Sequence, residues 1–129
     1  MAFAGKVVWI TGASSGIGAA MARSLAAQGA QLILSGRNEA ALAEIASHCG
    51  DAMVLTFEAT DHAAAADAAD KAWAWQGRVD MLVNNAGISQ RSLAVETAFP
   101  VYERIVAVDL LAPIALTQAL LPRMAERRA

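Results

Sequence analysis

Cysteine and histidine, which disulfides and many metal sites require, are almost missing from this sequence. Cys49 is the only cysteine, and just two histidines occur in 129 residues. A single cysteine cannot form an intrachain disulfide and cannot supply the repeated thiolates of a structural zinc site. We therefore predict that the chain has neither a disulfide nor a metal centre.

Strong net charge and long uninterrupted apolar runs are also missing. The formal net charge is -2, and mean hydropathy is +0.40 with 57% hydrophobic residues. Lys6 interrupts the first apolar stretch, and no run approaches the roughly 20 residues of a membrane span. The small basic group of Arg123, Arg127 and Arg128 is typical of a helix C-terminus and too small to indicate nucleic acid binding. We expect a cytoplasmic protein that binds neither membranes nor nucleic acid.

Short strand-like runs alternate with helix-like segments four times along the chain. Asn38 and Asp61 each precede a helix-like segment and are predicted helix N-caps. Pro113 is expected to kink a long final helix, and Pro122 to kink it or end it. The alternation predicts an α/β protein with a doubly wound parallel sheet of about four strands and four helices on its two faces. The predicted strands span residues 6–11, 31–35, 52–57 and 79–84.

A glycine-rich turn separates the first predicted strand from the first predicted helix. The sequence from Thr11 to Gly18 reads TGASSGIG. Glycines permit a tight turn and a close approach of the backbone to a pyrophosphate, and a helix N-terminus favours an anion. The turn could also be a plain connection without a ligand, but its place between strand and helix favours a dinucleotide site.

Four motifs in this order resemble those of the short-chain dehydrogenase/reductase family. They are the TGxxxGxG turn, Arg37 after the second strand, EATD at residues 58–61 and NNAG at residues 84–87. The resemblance covers nearly the whole chain and implies a Rossmann-type sheet with strand order 3-2-1-4. It also implies an oxidoreductase that interconverts a carbonyl and a secondary alcohol by hydride transfer. Residues 1–129 would form part of its NAD(P)-binding domain.

The resemblance implies where the cofactor binds. Thr11 and Asn84 are expected to tie neighbouring strand ends together, while Asn85, Ala86 and Gly87 line the adenosine and ribose side of the groove. Read from composition alone, Asn84 and Asn85 could equally form a polar turn. Val108 is expected to line the same groove. The residues expected around the cofactor phosphates are Gly12, Ser14, Ser15, Gly16, Ile17 and Gly18.

Arg37 bears on the choice between NADP(H) and NAD(H). Rossmann proteins that bind NAD usually have an acidic residue near the end of the second strand, and Ser35-Gly36-Arg37 has none. Arg37 could pair with a 2′-phosphate, for which Gly36 leaves room, although a plain surface arginine is the alternative. Ser15 weighs against NADP(H), because many NADP-preferring relatives have a basic residue in the glycine-rich turn. We predict a preference for NADP(H).

Glu58 stands where the family usually has aspartate. The resemblance implies that its carboxylate accepts from the adenine amino group, with the Ala59 backbone N–H alongside. Glutamate is one methylene longer, so the geometry is expected to differ. A solvated carboxylate at the end of a strand is the alternative interpretation.

The catalytic residues that the resemblance implies are not in this sequence. The family uses a tyrosine, a lysine four residues later and a serine, but Tyr102 is followed by valine at position 106, and the lysines are Lys6 and Lys71. Asp109 occupies the place where relatives often have the asparagine of a proton relay. It keeps an acceptor but loses the amide donor. We expect the chain to be inactive alone. A dinucleotide-binding module without catalysis, or a degenerate fragment, is the alternative.

The missing C-terminal half also bears on association and on the substrate. The fourth strand is expected to be an unpaired sheet edge, and an apolar face at Leu111, Ile114, Leu120 and Leu121 is expected to lose its cover. We predict that the chain alone is marginally stable and associates, and that the full-length protein is a homo-oligomer. The substrate is a small carbonyl or alcohol, and residues 88–93 are the only part expected to contact it.

Overall fold

The computed structural model describes residues 2–87 and 94–127, which form a parallel sheet with helices on both faces. The order of the four strands across this sheet confirms the predicted order 3-2-1-4. In the central register Trp9 lies between Ile33 and Leu82, and Ile33 lies beside Met53. The strands are β1 (Val7–Thr11), β2 (Gln31–Ser35), β3 (Ala52–Val54) and β4 (Met81–Val83).

Local sequence signals set the helix boundaries. The Asn38 side chain accepts from the Ala41 N–H at 3.0 Å, and Asp61 accepts from the Ala64 N–H at 3.1 Å, which confirms both predicted N-caps. Gly77 ends the third helix with a φ of 73°, a conformation that glycine adopts at low cost. The helices are α1 (Gly16–Ala27), α2 (Glu39–Ala46), α3 (His62–Gln76), α4 (Phe99–Val106) and α5 (Ala112–Arg127), with a 3₁₀ turn at Ala94–Glu96.

A π-helical turn, Ala107–Leu111, joins α4 to α5 in one helical stretch. Its last hydrogen bond runs from the Ala112 N–H to the Ala107 carbonyl oxygen, five residues back. Pro113 follows at once, and its ring would crowd the carbonyl of a regular α-turn. The predicted irregularity at Pro113 is thus a π-turn. The helix continues through Pro122 to Arg127, so an end at Pro122, one of two predicted outcomes, is wrong.

Alternate residues of the central strands enter two separate cores. Val8, Ile10 and Leu34 pack with residues of α1 and α2. Val7, Trp9 and Ile33 pack on the other face with residues of α3 and α5. Because neighbouring side chains of a strand point to opposite faces, both faces of β1 and β2 are buried, as expected for a doubly wound sheet.

The strands β3 and β4 are shorter than predicted. The Leu55 N–H still donates to the Leu34 carbonyl oxygen at 2.9 Å, but β2 ends at Ser35 and offers no ladder beyond. Residues 56–58 therefore leave the sheet at its C-terminal edge. The strand-like pattern in the sequence could not predict this, because it does not show where the partner strand ends.

The stretch Phe99–Arg127 is long and apolar enough to cross a membrane, by length and composition only. The core helices of soluble proteins pass the same test, and Val108, Ala112, Leu116 and Leu120 are buried on this helix. No uninterrupted apolar run in the sequence reveals this helix, because charged and polar residues interrupt it. The absence of a membrane partner therefore stays a prediction.

Candidate functional site

A cavity of about 430 Å³ lies at the C-terminal ends of the strands, bounded on one side by the last helix. This is the edge at which open α/β sheets bind ligands, near the point where the strand order reverses between β1 and β4. Ten of the predicted site residues line it: Gly12, Ser14, Ser15, Arg37, Glu58, Ala59, Asn85, Ala86, Gly87 and Val108.

The glycine-rich turn packs against the loop that follows β4. Gly12 has a φ of 64°, and a Cβ there would lie 2.8 Å from the Ala86 Cα. A Cβ on Gly18 would overlap the Gly12 carbonyl oxygen. Gly12 and Gly18 therefore let two backbone segments and the start of α1 approach each other closely. Gly16 and Ile17, like Gly18, do not line the cavity, and Ile17 is exposed on the first turn of α1.

The start of α1 is suited to an anion. Ser15 is the N-cap residue, and its side chain makes no capping hydrogen bond. The first turn of a helix has backbone N–H groups without intrahelical partners and carries a partial positive charge. A phosphate at the cavity wall formed by Ser14 and Ser15 would meet these groups.

Thr11 joins β1 to the loop after β4. Its hydroxyl oxygen accepts from the backbone N–H groups of Asn85 and Ala86, each at 3.0 Å, and the hydroxyl donates to the Val83 carbonyl oxygen at 3.4 Å. Thr11 thus ties the two strand ends together as expected. The Asn84 amide instead donates to the Thr117 hydroxyl at 3.1 Å, so Asn84 ties β4 to α5 and not to a neighbouring strand.

Arg37 and Glu58 form an ion pair at the side of the cavity. Arg37 Nη1 lies 3.6 Å from Glu58 Oε2, and the Thr60 hydroxyl donates to Glu58 Oε1 at 3.1 Å. A Cβ on Gly36 would have its nearest neighbours, Leu42 and Ser14, at 3.7 Å, which is ordinary van der Waals contact, so this position has room for a methyl group. Two side chains that the sequence assigned to different parts of one ligand are therefore partners of each other.

The charge of the lining residues favours a phosphate-bearing ligand. Arg37 and Arg104 are the cations and Glu58 is the acid among the lining residues that the described ranges contribute. This excess of one positive charge combines with the partial charge of the α1 N-terminus. Phe57, Val108 and Leu116 add apolar wall on the same side as Glu58 and the last helix, as the base of a nucleotide requires.

Comparison with known proteins identifies the family. The family model described as short chain dehydrogenase matches residues 6–129. The chain belongs to the short-chain dehydrogenase family. It is 40% identical over 131 residues to dehydrogenase/reductase SDR family member 7 of Homo sapiens, covering 95% of this chain and 38% of that protein. It is 42% identical over 132 residues to family member 7B of Bos taurus, with 95% and 41% covered.

Solved short-chain dehydrogenase structures share the fold. A 3-ketoacyl-(acyl-carrier-protein) reductase from Brucella melitensis, complexed with NADH, superposes with a TM-score of 0.91 at 34% identity, covering 95% of this chain and 51% of that one. A metagenomic short-chain oxidoreductase in complex with NADP gives 0.88 at 34% identity, with 98% and 59% covered. The chain spans about two fifths of the length of these curated relatives and about half that of the solved structures.

Asp109, which the resemblance placed at the family's asparagine position, lies in the π-turn. A Cβ on Gly87 would lie 3.3 Å from Asp109 Oδ1, so the carboxylate is next to the end of the NNAG loop. Asp109 itself is not among the lining residues, whereas its neighbour Val108 is. Residues 88–93, the predicted substrate contacts, lie outside the described residues.

Part of the cavity wall was not predicted from the sequence. Arg104, Ala112 and Leu116 line the cavity together with Val108. These four residues are spaced by four along one helical stretch, so the spacing from Val108 could have indicated them. Phe57 was predicted only as a strand residue, and its place beside the predicted adenine contact Glu58 was the available signal.

Proposed function

We propose that this chain forms the NADP(H)-binding part of an oxidoreductase that interconverts a carbonyl and a secondary alcohol. The observation that carries the proposal is the position of Arg37 beside a cavity at the C-terminal edge of a 3-2-1-4 sheet. The chain belongs to a family of oxidoreductases that use nicotinamide dinucleotides, and the residues at this edge fit that ligand.

The residues present match the parts of a dinucleotide. Because Gly12 and Gly18 have no side chains, the glycine turn can lie close to the loop after β4. The N-terminus of α1 would hold the pyrophosphate. Ala86, Gly87 and Val108 would bound the adenosine and ribose groups. Glu58 and the Ala59 N–H would recognise the adenine edge. The bound cofactor would supply the hydride, and this chain's residues would orient it and exclude water.

The preference for NADP(H) rests on the end of β2. Ser35 and Gly36 provide no carboxylate to accept from a ribose 2′-hydroxyl, and Arg37 provides a permanent cation with several N–H donors. A 2′-phosphate carries about two negative charges at neutral pH and suits such a group. One structural neighbour was solved with NADP and another with NADH, so the fold accommodates either cofactor and side chains decide.

Catalysis requires a proton donor, which the family takes from a Tyr-xxx-Lys motif. These 129 residues do not contain that motif. Tyr102 is followed four residues later by Val106, which has neither a charge nor a side-chain hydrogen-bond donor. Asp109 would contribute an acceptor beside Gly87 that could hold a water molecule. We propose that these residues bind cofactor without turning over a substrate alone. A dinucleotide-binding module without catalysis is the second candidate, and the same cavity residues would support it.

The proposed setting is cytoplasmic, with a small carbonyl or alcohol substrate and neither a membrane nor nucleic acid as partner. The moderate net charge of -2 supports the absence of nucleic acid binding. We also propose a homo-oligomer for the full-length protein. Its support is the exposed apolar side chains on the stretch Phe99–Arg127: Val106, Leu110, Leu111, Ile114 and Leu121. Leu120, which was also expected to be uncovered, is buried.

The test is a titration of the purified chain with NADPH and with NADH, followed by cofactor and tryptophan fluorescence. We expect saturable binding that favours NADPH. Arg37→Gln should weaken NADPH binding about ten- to a hundredfold, because it removes a charged hydrogen-bond partner, and should leave NADH binding nearly unchanged. Arg23→Gln, which removes an exposed arginine of α1 outside the cavity, is the matched control. No saturable binding by the folded chain would contradict the proposal.

A further inference from the structure

The Arg37–Glu58 ion pair joins the two side chains that would recognise opposite ends of the adenosine group. Arg37 is the proposed partner of the 2′-phosphate, and Glu58 is the proposed partner of the adenine amino group. Their closest charged atoms lie 3.6 Å apart, and both residues line the same cavity. Neither side chain is buried, with 64% of Arg37 and 43% of Glu58 exposed, so water and ligand can reach both.

The extra methylene of Glu58 makes this pair possible. An aspartate on the same backbone would have a carboxylate withdrawn by about one carbon–carbon bond, roughly 1.5 Å. Added to the present 3.6 Å, that withdrawal would separate the charged atoms by more than the roughly 4 Å within which an ion pair forms. The Thr60 hydroxyl holds the other carboxylate oxygen, Oε1, at 3.1 Å, so Oε2 is the atom left to face Arg37.

The pair sets two anions in competition for one guanidinium. A 2′-phosphate that binds Arg37 must share it with Glu58 or displace it, whereas NAD(H) has only a neutral hydroxyl at that point. An exposed ion pair is weak, so the competition reduces NADP(H) affinity modestly and does not abolish it. The NADPH-to-NADH affinity ratio is the quantity that this competition changes, because contacts with adenine are common to both cofactors.

We propose that Glu58 is a second cofactor-specificity residue, which limits the preference for NADP(H) by competing with the 2′-phosphate for Arg37. The inference rests on the proposed NADP(H) site. It assigns to Glu58 a role in discrimination between cofactors that is separate from recognition of adenine. In this second role Glu58 acts through its ion pair with Arg37 and not by a contact of its own with the phosphate.

The decisive variant is Glu58→Gln in the full chain, which removes the charge and keeps both the side-chain length and an acceptor for Thr60. We expect the NADPH-to-NADH affinity ratio to rise roughly two- to fivefold, as the loss of an exposed ion pair allows. Glu44→Gln is the matched control. It removes one negative charge from α2, where Glu44 pairs with His48 outside the cavity, and should leave the ratio unchanged.

The Arg37→Gln background shows whether Glu58 acts through Arg37. There, Glu58→Gln should change the ratio by much less than it does in the wild-type chain, because no guanidinium is left to compete for. An equal rise in both backgrounds would mean direct repulsion of the phosphate and would overturn the competition. A ratio that stays constant or falls on Glu58→Gln would overturn it as well.

The same titrations separate this inference from the proposed function. If the wild-type chain binds NADPH with preference and Glu58→Gln leaves the ratio unchanged, only the role of Glu58 fails. If the folded wild-type chain binds neither cofactor, the proposed site fails and this inference fails with it. Melting temperature is the structural readout. It should stay nearly constant in Glu58→Gln, since an exposed pair contributes little to stability.

Discussion

The Asn85 side-chain amide donates to the Gly12 carbonyl oxygen at 3.1 Å, linking the loop after β4 to the turn after β1. The two residues are 73 positions apart in the chain. A Cβ on Gly18 would be 2.6 Å from the same amide nitrogen, so α1 begins directly against this hydrogen bond. The glycine-rich turn is therefore shaped by the loop after β4 as well as by its own glycines.

Gly18→Ala should disrupt this junction. The added methyl group would overlap the Gly12 carbonyl oxygen, a backbone atom that cannot move aside easily, and would press on the Asn85 side-chain amide. We expect a loss of about 1–3 kcal/mol in the free energy of unfolding, typical of overpacking, together with weaker binding of NADPH and NADH alike. Urea denaturation and cofactor titration measure the two effects. Gly36→Ala is the stability control, because its methyl group would have no neighbour closer than 3.7 Å. Equal stability of the two variants would contradict the expectation.

Gly36→Asp should move the cofactor preference towards NADH. The new carboxylate would stand beside Arg37, where it could accept from a ribose 2′-hydroxyl and would repel a 2′-phosphate. The NADPH-to-NADH affinity ratio should fall by roughly tenfold or more, equivalent to about 1.4 kcal/mol. Gly36→Asn has nearly the same shape without the charge and should shift the ratio less. An unchanged ratio in the aspartate variant would show that Arg37 is not the selector.

Asp80→Asn should destabilise the N-terminal edge of the sheet. The Asp80 carboxylate accepts from the Val7 N–H at 2.9 Å and lies 3.1 Å from Arg78 Nε and 3.3 Å from Arg127 Nη1, with 15% of the side chain exposed. Losing the charge weakens three contacts at once, so we expect a cost of about 1–3 kcal/mol in urea denaturation.

Asp67→Asn is the matched control for Asp80→Asn. Asp67 pairs with Lys71, one turn further along α3, and both side chains are more than 60% exposed. Such a pair should cost less than about 0.5 kcal/mol. A similar loss in the two variants would show that Asp80 does not connect β1, Arg78 and the last helix energetically.

Burial raises the pKa of the Cys49 thiol above its ordinary value of 9.0, with Arg23 opposing part of that rise. The folded chain therefore keeps the proton where the unfolded chain has lost it. The resulting stability is fully present below about pH 9 and is lost as pH rises through the folded pKa. We expect the free energy of unfolding to decline above pH 9 and to decline less steeply in Cys49→Ala. The same slope in both chains would rule out Cys49 as the cause.

The same burial should make Cys49 unreactive. The thiolate is the nucleophile, and this thiol is both protonated at neutral pH and enclosed in the core that contains Leu42 and Ile45. A disulfide reagent at pH 7.5 should therefore react slowly with the folded chain and quickly in urea. Fast reaction without denaturant would show that α2 opens locally or that the thiol is accessible.

The fold was largely predictable because its signals are local. The residues 31–35 predicted for β2 match the observed strand, and Asn38 and Asp61 cap the helices that they were expected to begin. Such features depend on side chains a few positions apart. The strand order came from the resemblance of the motifs to a known family, since periodicity alone does not order parallel strands.

Contacts between distant segments were less predictable. The sequence placed Arg37 and Glu58 near one ligand but could not show that they pair, because a separation of 21 residues along the chain does not fix the distance between two side chains. Nor could it show that Asn84 bonds to Thr117 on α5. That contact depends on how the last helix lies against the sheet.

The sequence by itself determined that this chain is a doubly wound α/β protein with a glycine turn suited to a dinucleotide, because periodicity, caps and glycines act within a few residues. The tertiary structure alone decided which side chains meet at the C-terminal edge of the sheet. Only there do β1, β2, β3 and β4 bring together residues from four separate parts of the chain, and the distances between charged groups decide what each can bind.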